Sequence, residues 1–225
     1  MNEVRVKVCG LTDAANARAC VSAGADWIGL NFHPASPRSV TVERGAEIAS
    51  ALPSTAEAVG LFVDRPVAEV VAIAGRVGLS ILQLHGAESP EYLSELRQSS
   101  AYPPRIVRAF RLADPAAIDR MVAYLDRAEV LGCPVHAVLV DAHVVGVPGG
   151  TGRTLPNAIL DRLPFHPRLI LAGGLNPENV ANRVARVRPW MVDVAGGVES
   201  APGVKDPDQV AAFVTSARGI TSEFS

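Results

Sequence analysis

The chain offers little that would tie it to a membrane, a nucleic acid or an oxidising compartment. No apolar run approaches the roughly 20 residues needed to cross a bilayer, and the longest ones are broken at strand length by Gly, Pro or charge. The formal net charge is -2 at pH 7, so nothing electrostatic argues for nucleic acid or an anionic membrane. An anion bound here has to be held by local geometry. Cysteine is scarce: Cys9, Cys20 and Cys133 are too widely spaced for a disulfide framework or a metal-ligand pattern. The opening Met1-Asn2-Glu3-Val4-Arg5 lacks the charged, apolar, then small layout of a signal peptide. The expected setting is a reducing cytoplasm, where each thiol is free to be reactive or inert.

What is present is ordinary globular material, 48% hydrophobic and 20% charged, with ample apolar surface for a core. A length of 225 residues suits one large α/β domain or two small ones. Short β-rich runs alternate with helical patterns throughout. Strands are expected at Val4 to Cys9, Trp27 to Asn31, Ala58 to Val63, Leu79 to Leu84, Arg105 to Phe110, His136 to Val140, Arg168 to Leu171 and Met191 to Val194. Helical segments such as Asp13 to Ala23, Val42 to Leu52, Val67 to Arg76 and Asp208 to Ala217 lie among them. Thr12-Asp13, Asn176-Pro177-Glu178 and Asp206-Pro207 carry helix-start chemistry, a capping side chain beside a helix-compatible proline or acid. Mostly apolar strands alternating with helices imply βαβ units and a parallel sheet buried on both faces. Eight repeats without a change of composition or a low-complexity linker favour one domain over residues 1–225, an α/β fold of the (β/α)8 (TIM) barrel class.

In such a barrel, chemistry collects where the strands end and lead into helices. Here those ends read Lys7-Val8-Cys9-Gly10, Gln83-Leu84-His85-Gly86, Arg108-Ala109-Phe110-Arg111, Asp141, Ala172-Gly173-Gly174 and Asp193-Val194-Ala195-Gly196-Gly197. Gly173, Gly174, Gly196 and Gly197 follow strands seven and eight, the usual phosphate site of the fold. They either make tight turns or let backbone N–H groups approach an anion. Cys9 is either a small core hydrophobe or a rim thiol facing a ligand, with Lys7 on the same side of the strand as a cation that favours thiolate. Asp141 ends an otherwise apolar strand and is either satisfied by loop amides or exposed to a ligand; in a partly apolar site it would serve as a proton donor. His85 is a ligand contact, a general base or a satisfied core histidine. Cys20 and Cys133 read as structural.

The ordered set Lys7-Val8-Cys9-Gly10-Leu11-Thr12, Ser36-Pro37-Arg38, Val63-Asp64, Gln83-Leu84-His85-Gly86, Gly149-Gly150-Thr151-Gly152, Leu171 to Val180 and Gly197-Val198-Glu199 with Pro202-Gly203 and Lys205-Asp206 resembles the phosphoribosylanthranilate isomerases. The resemblance covers nearly the whole chain. It implies an Amadori rearrangement in tryptophan biosynthesis, with Cys9 as general base and Asp141 as general acid. It further implies Arg38, His85 and Asp193 at the substrate and Gly173, Gly174, Gly196 and Gly197 at the phosphate; Arg111, on the rim, either assists there or is a solvated or structural arginine. No metal and no organic cofactor is implied, because the substrate's own iminium is the electron sink. The partner is then a phosphorylated small molecule, on a chain that is a monomer or a homodimer. Two departures stand out: Ala195-Gly196 where the family commonly has two serines, which removes hydroxyl contacts to phosphate, and Leu155-Pro156-Asn157 in place of an aromatic, an acid and a tryptophan. The nearest rival, a bifunctional isomerase shared by histidine and tryptophan synthesis, uses aspartate for both proton transfers, whereas the first strand here offers Cys9. A non-catalytic phosphosugar sensor is the more distant alternative.

Overall fold

A computed structural model describes residues 3–100, 103–141 and 154–219. Eight parallel strands close into a barrel: β1 (Arg5–Cys9), β2 (Trp27–Asn31), β3 (Glu57–Phe62), β4 (Ile81–Leu84), β5 (Arg105–Arg111), β6 (Ala137–Asp141), β7 (Leu169–Leu171) and β8 (Met191–Val194). Each pairs with the next in sequence, and β8 closes on β1 through the register Lys7↔Asp193. Between them run α1 (Ala14–Ser22), α2 (Val42–Ser50), α3 (Val67–Val77), α4 (Pro90–Ser99), α5 (Pro115–Val130), α6 (Asn157–Leu160), α7 (Val180–Val187) and, closing the chain, α8 (Pro207–Arg218). A short antiparallel pair, β9 (Glu199–Ala201) and β10 (Val204–Lys205), sits between β8 and α8. The expected fold class is the observed one.

Side chains alternate across each strand, so every strand serves two compartments. Outward residues such as Val6, Val8, Ile28, Leu30, Leu82 and Leu84 pack against the helix layer in one large cluster. Inward residues Trp27, Val59, Ile81, Val107, Leu139, Ile170 and Met191 form a second cluster that plugs the lower barrel. The strands are therefore apolar on both faces, which is why their sequence shows runs instead of alternation.

Helix starts follow from capping. Asp13 accepts the N–H of Asn16 at 2.8 Å, Ser89 accepts that of Tyr92, and Asp206 accepts those of Asp208 and Gln209. The expected start at Asn176 is corrected: α7 begins three residues after Pro177. Asn176 and Asn179 instead exchange side-chain oxygens for each other's N–H at 2.9 and 3.0 Å, and Asn179 Nδ2 donates to the Gly174 carbonyl. The Asn-Pro chemistry closes a turn that braces the glycine loop.

Arg108 is a second correction. Parity turns it out of the barrel, where its guanidinium is buried and donates to the carbonyls of Leu84, Ala109 and Gly86. It lies over the rings of Phe110 and Tyr124. It braces strands β4 and β5 and is not a rim residue.

Candidate active site

Moving up each strand by two residues from the apolar plug places polar side chains inside the barrel. The first such layer holds Lys7, Gln83 and Asp193, all buried. Lys7 Nζ donates to both oxygens of Asp193 at 3.0 Å, joining adjacent strands β1 and β8. Two residues further, Cys9, Asn31, His85, Arg111 and Asp141 reach the mouth. There they line a cavity of about 360 Å³. Arg38, Gly173, Gly174, Asp193, Gly196 and Gly197 line the same cavity, so all nine residues singled out as catalytic or binding are gathered in one place.

The wall around Cys9 is shaped by two glycines. A Cβ at Gly29, the register partner of Cys9, would stand 2.7 Å from Sγ, so only glycine leaves room for the thiol. Gly10 has φ +83, and a Cβ there would meet Arg38 Cδ at 2.5 Å, so the Arg38 side chain packs directly over this turn. Burial pushes the Cys9 thiol above the ordinary cysteine value, and Asp193 adds to this, while Lys7 and Lys205 pull it back. The cation expected at Lys7 is present and acts in the favourable direction, but desolvation outweighs it. Lys7 itself remains an ammonium. Burial works against its charge, yet Asp193 and the sulfur of Cys9 hold its pKa above the usual lysine value. The Asp193 carboxyl is raised by burial, with Lys7 opposing.

Asp141 ends β6, three strand positions from β1 around the ring. His85 Nε2 lies 3.5 Å from Asp141 Oδ2, and His85 Nδ1 lies 3.1 Å from Gln83 Nε2. His85 is therefore an inward-facing member of the site, not a core histidine. Gln83 Oε1 is buried with no hydrogen-bond partner among the described residues. Arg111 Nη2 reaches the His85 carbonyl at 3.3 Å from the strand position that pairs with Asp141.

At the other end of the cavity two glycine pairs face each other. Gly173 and Gly174 adopt φ +89 and +61, which L side chains rarely tolerate. Gly196 and Gly197 open a 3₁₀ turn, Gly196–Val198, and a Cβ on Gly197 would overlap the Leu175 carbonyl oxygen. The N–H groups of these four glycines find no protein acceptor among the described residues. Such a set of converging donors suits an anion. At the serine-lacking position, the Ala195 carbonyl accepts from Lys205 Nζ at 3.2 Å. The other departure is absorbed by packing: Leu155 is buried, and Asn157 Oδ1 accepts from Arg183 at 2.9 Å. The Gly149-Gly150-Thr151-Gly152 segment lies outside the described residues. No group of three or more potential metal-ligating His, Cys, Asp or Glu side chains occurs among the described residues.

Sequence reasoning missed the partners of the site residues. Arg38 is held side-on by Glu199, with Nε to Oε1 at 2.7 Å and Nη2 to Oε2 at 2.6 Å, and Lys205 Nζ joins the same carboxylate at 2.6 Å. Glu199 and Lys205 stood inside a quoted motif, but nothing local announces a contact across 161 residues.

A parallel barrel with a thiol, a carboxylate, an imidazole and a set of glycine amides at the carboxyl ends of its strands defines the class, a (β/α)8-barrel enzyme. More particularly, residues 6–216 match the family described as N-(5'-phosphoribosyl)anthranilate (PRA) isomerase, and the chain belongs to that family. The Geobacter sulfurreducens N-(5'-phosphoribosyl)anthranilate isomerase is 43% identical over 96% of this chain and 99% of its own length. The phosphoribosyl anthranilate isomerase of Thermotoga maritima superposes with a TM-score of 0.82 at 32% identity, covering 96% of this chain and 99% of its own. A solved phosphoribosyl anthranilate isomerase in complex with reduced 1-(o-carboxyphenylamino)-1-deoxyribulose 5-phosphate gives 0.78 at 32% identity, over 96% and 99% of the two chains.

Proposed function

We propose that this chain converts N-(5-phosphoribosyl)anthranilate to 1-(2-carboxyphenylamino)-1-deoxyribulose 5-phosphate, a step of tryptophan biosynthesis, with Asp141 as general acid and Cys9 as general base. The observation that carries the assignment of roles is that Cys9 on β1 and Asp141 on β6 line one cavity, together with the glycine amides of the β7 and β8 loops. Family membership supports the reaction itself.

Asp141 donates its proton to the ribose ring oxygen. The bond from that oxygen to C1′ breaks, and the anilino nitrogen supplies the electron pair that makes the C1′=N⁺ iminium. Cys9 as thiolate then removes the C2′ proton. The C–H electron pair becomes the C1′=C2′ bond, and the former C=N π pair returns to nitrogen. The resulting enol loses its hydroxyl proton and gains one at C1′, leaving the ketone. Lys7 and Lys205 oppose the burial that keeps the thiol protonated, and the iminium adds a third positive charge near the sulfur as the base is needed. The imidazole of His85 lies beside the acid. The glycine amides bind the 5′-phosphate, and Arg38 meets the anthranilate group.

Loss of phosphoribosylanthranilate fluorescence measures turnover. Cys9→Ser and Asp141→Asn are each expected to lower kcat by about 10²–10⁴-fold while still binding the reduced product analogue. Turnover at the unmodified rate in either variant refutes the role given to that residue.

A further inference from the structure

Arg38 has a fork that is already engaged. Its Nε and Nη2 donate side-on to Glu199, while Nη1 has no protein acceptor among the described residues. Side-on pairing leaves the end-on edge of a guanidinium, Nη1 with the second hydrogen of Nη2, able to grip another planar carboxylate. Glu199 in turn receives two further donors, the Gly203 N–H at 3.0 Å and the Nζ of Lys205, which is 1% exposed. Lys205 also donates to the Ala195 carbonyl, at the start of the β8 glycine loop.

The charge count explains why three groups are needed. Glu199 alone would cancel Arg38 and leave a neutral pair facing the cavity. With Lys205 behind it the cluster carries one net positive charge, so Arg38 is held in place without losing its attraction for an anion. Burial would push the Glu199 carboxyl up, but Arg38, Lys205 and the Gly203 amide overcome it and hold it at about 2, so it is an anion at any working pH.

We propose that Glu199, backed by Lys205, is a positioning residue that presents the end-on edge of Arg38 to the carboxylate-bearing aryl part of the substrate. This rests on the reaction given above, and it assigns to the β9 strand a part in substrate recognition. Because the aryl carboxylate takes no part in the bonds made and broken at the ring oxygen, C1′ and C2′, the contact contributes to binding in ground state and transition state alike. Its loss raises KM and spares kcat.

The test compares two ligands that share a phosphate but differ in the aryl group: the reduced product analogue and ribulose 5-phosphate. In Glu199→Gln the affinity for the reduced product analogue is expected to fall roughly tenfold, as for one charge-assisted contact, with ribulose 5-phosphate binding unchanged. KM for phosphoribosylanthranilate rises by a similar factor at near-constant kcat. Glu199→Asp, which keeps the charge but shortens the reach, recovers part of the affinity, and it carries the same two-ligand comparison if Glu199→Gln does not fold. In an Arg38→Ala background, Glu199→Gln adds no further loss. Equal weakening of both ligands, a fall in kcat at constant KM, or multiplied losses in the double variant overturns the proposal. An unmodified enzyme that neither turns over phosphoribosylanthranilate nor binds the analogue overturns the functional reading, and this inference with it.

Discussion

At Gly197 a single methyl group decides whether the two glycine loops can face each other. Its Cβ would have to occupy the place of the Leu175 carbonyl oxygen, and a backbone atom cannot swing aside as a side chain does. Gly197→Ala is therefore expected to push the β8 loop away from the β7 loop while leaving Cys9 and Asp141 in place. The expected outcome is a rise in the inhibition constant for inorganic phosphate of at least about tenfold, the loss of one or two good hydrogen bonds to a charged group. An unchanged constant would show that these amides do not hold the anion. Gly29 acts by the same steric logic for a different end, since its missing Cβ is the space that Cys9 Sγ fills. Cys9 also illustrates competition between effects. Two lysines favour its thiolate, yet desolvation raises the thiol above the ordinary cysteine value. Alkylation of Cys9 by iodoacetamide should accordingly be slow at pH 8 and still rising above pH 9. A plateau near neutrality would show that the cations win over burial.

Among the elements, the loops that follow β3 and β4 are joined by one buried carboxylate. Glu88 accepts the N–H of Asp64 and of Gly86, each at 2.9 Å, and lies 3.5 Å from the Arg108 guanidinium. Asp64 has φ +49, and its carboxylate accepts the Ala87 N–H at 2.5 Å, so the two loops are tied in both directions. Since Gly86 follows His85, this tie fixes where the imidazole leaves β4. Glu88→Ala would leave two amides unsatisfied and a buried arginine without its counter-ion. A loss of about 3–5 kcal/mol in urea unfolding is expected, with His85 misplaced as a consequence. A loss below about 1 kcal/mol would mean that Arg108's carbonyl contacts alone brace this corner. The α1 helix has a smaller dependence of the same kind. Asp13 caps its first turn, and Asn16 exchanges hydrogen bonds with the backbone of Lys205 at 2.7 and 2.8 Å, tying α1 to β10.

For the whole molecule, closure matters most, because β1 and β8, the first and last strands of the barrel, meet in the Lys7–Asp193 pair. Arg218 near the far end of α8 reinforces the seam by donating to the Val4 and Gly24 carbonyls and to Asp26. Stability should respond to acid through Glu199, on β9 between β8 and α8. Its folded-state pKa of about 2 is below the usual glutamate value, so its stabilisation is complete above pH ~4.5 and is lost as pH falls toward 2. At about 1.4 kcal/mol per pH unit, discounted for partial solvent screening, the linkage is on the order of 2 kcal/mol. The unfolding free energies of the unmodified protein and Glu199→Gln should converge by about that amount between pH 5 and pH 2. A gap independent of pH would show that the carboxylate is not preferentially ionised in the folded state.

Strand and helix placement was legible from the chain itself because apolar runs and capping side chains act within a few residues. Asp13 and Asp206 sit where their neighbours' N–H groups need an acceptor, and strands β2 and β8 match the sequence expectation residue for residue. The rim positions of Cys9, His85 and Asp141 followed from their places at strand ends once a barrel was assumed, and the glycine pairs from the conformations that only glycine adopts readily. A place near a strand end does not say which way a side chain points, so only the closed barrel shows that Arg108 faces out. Pairing across long separations was decided by the tertiary structure alone: Lys7 with Asp193 across 186 residues, and Arg38 with Glu199 across 161. The charge state of the Cys9 thiol belongs with these, since desolvation is a property of the assembled barrel and has no counterpart in the local sequence.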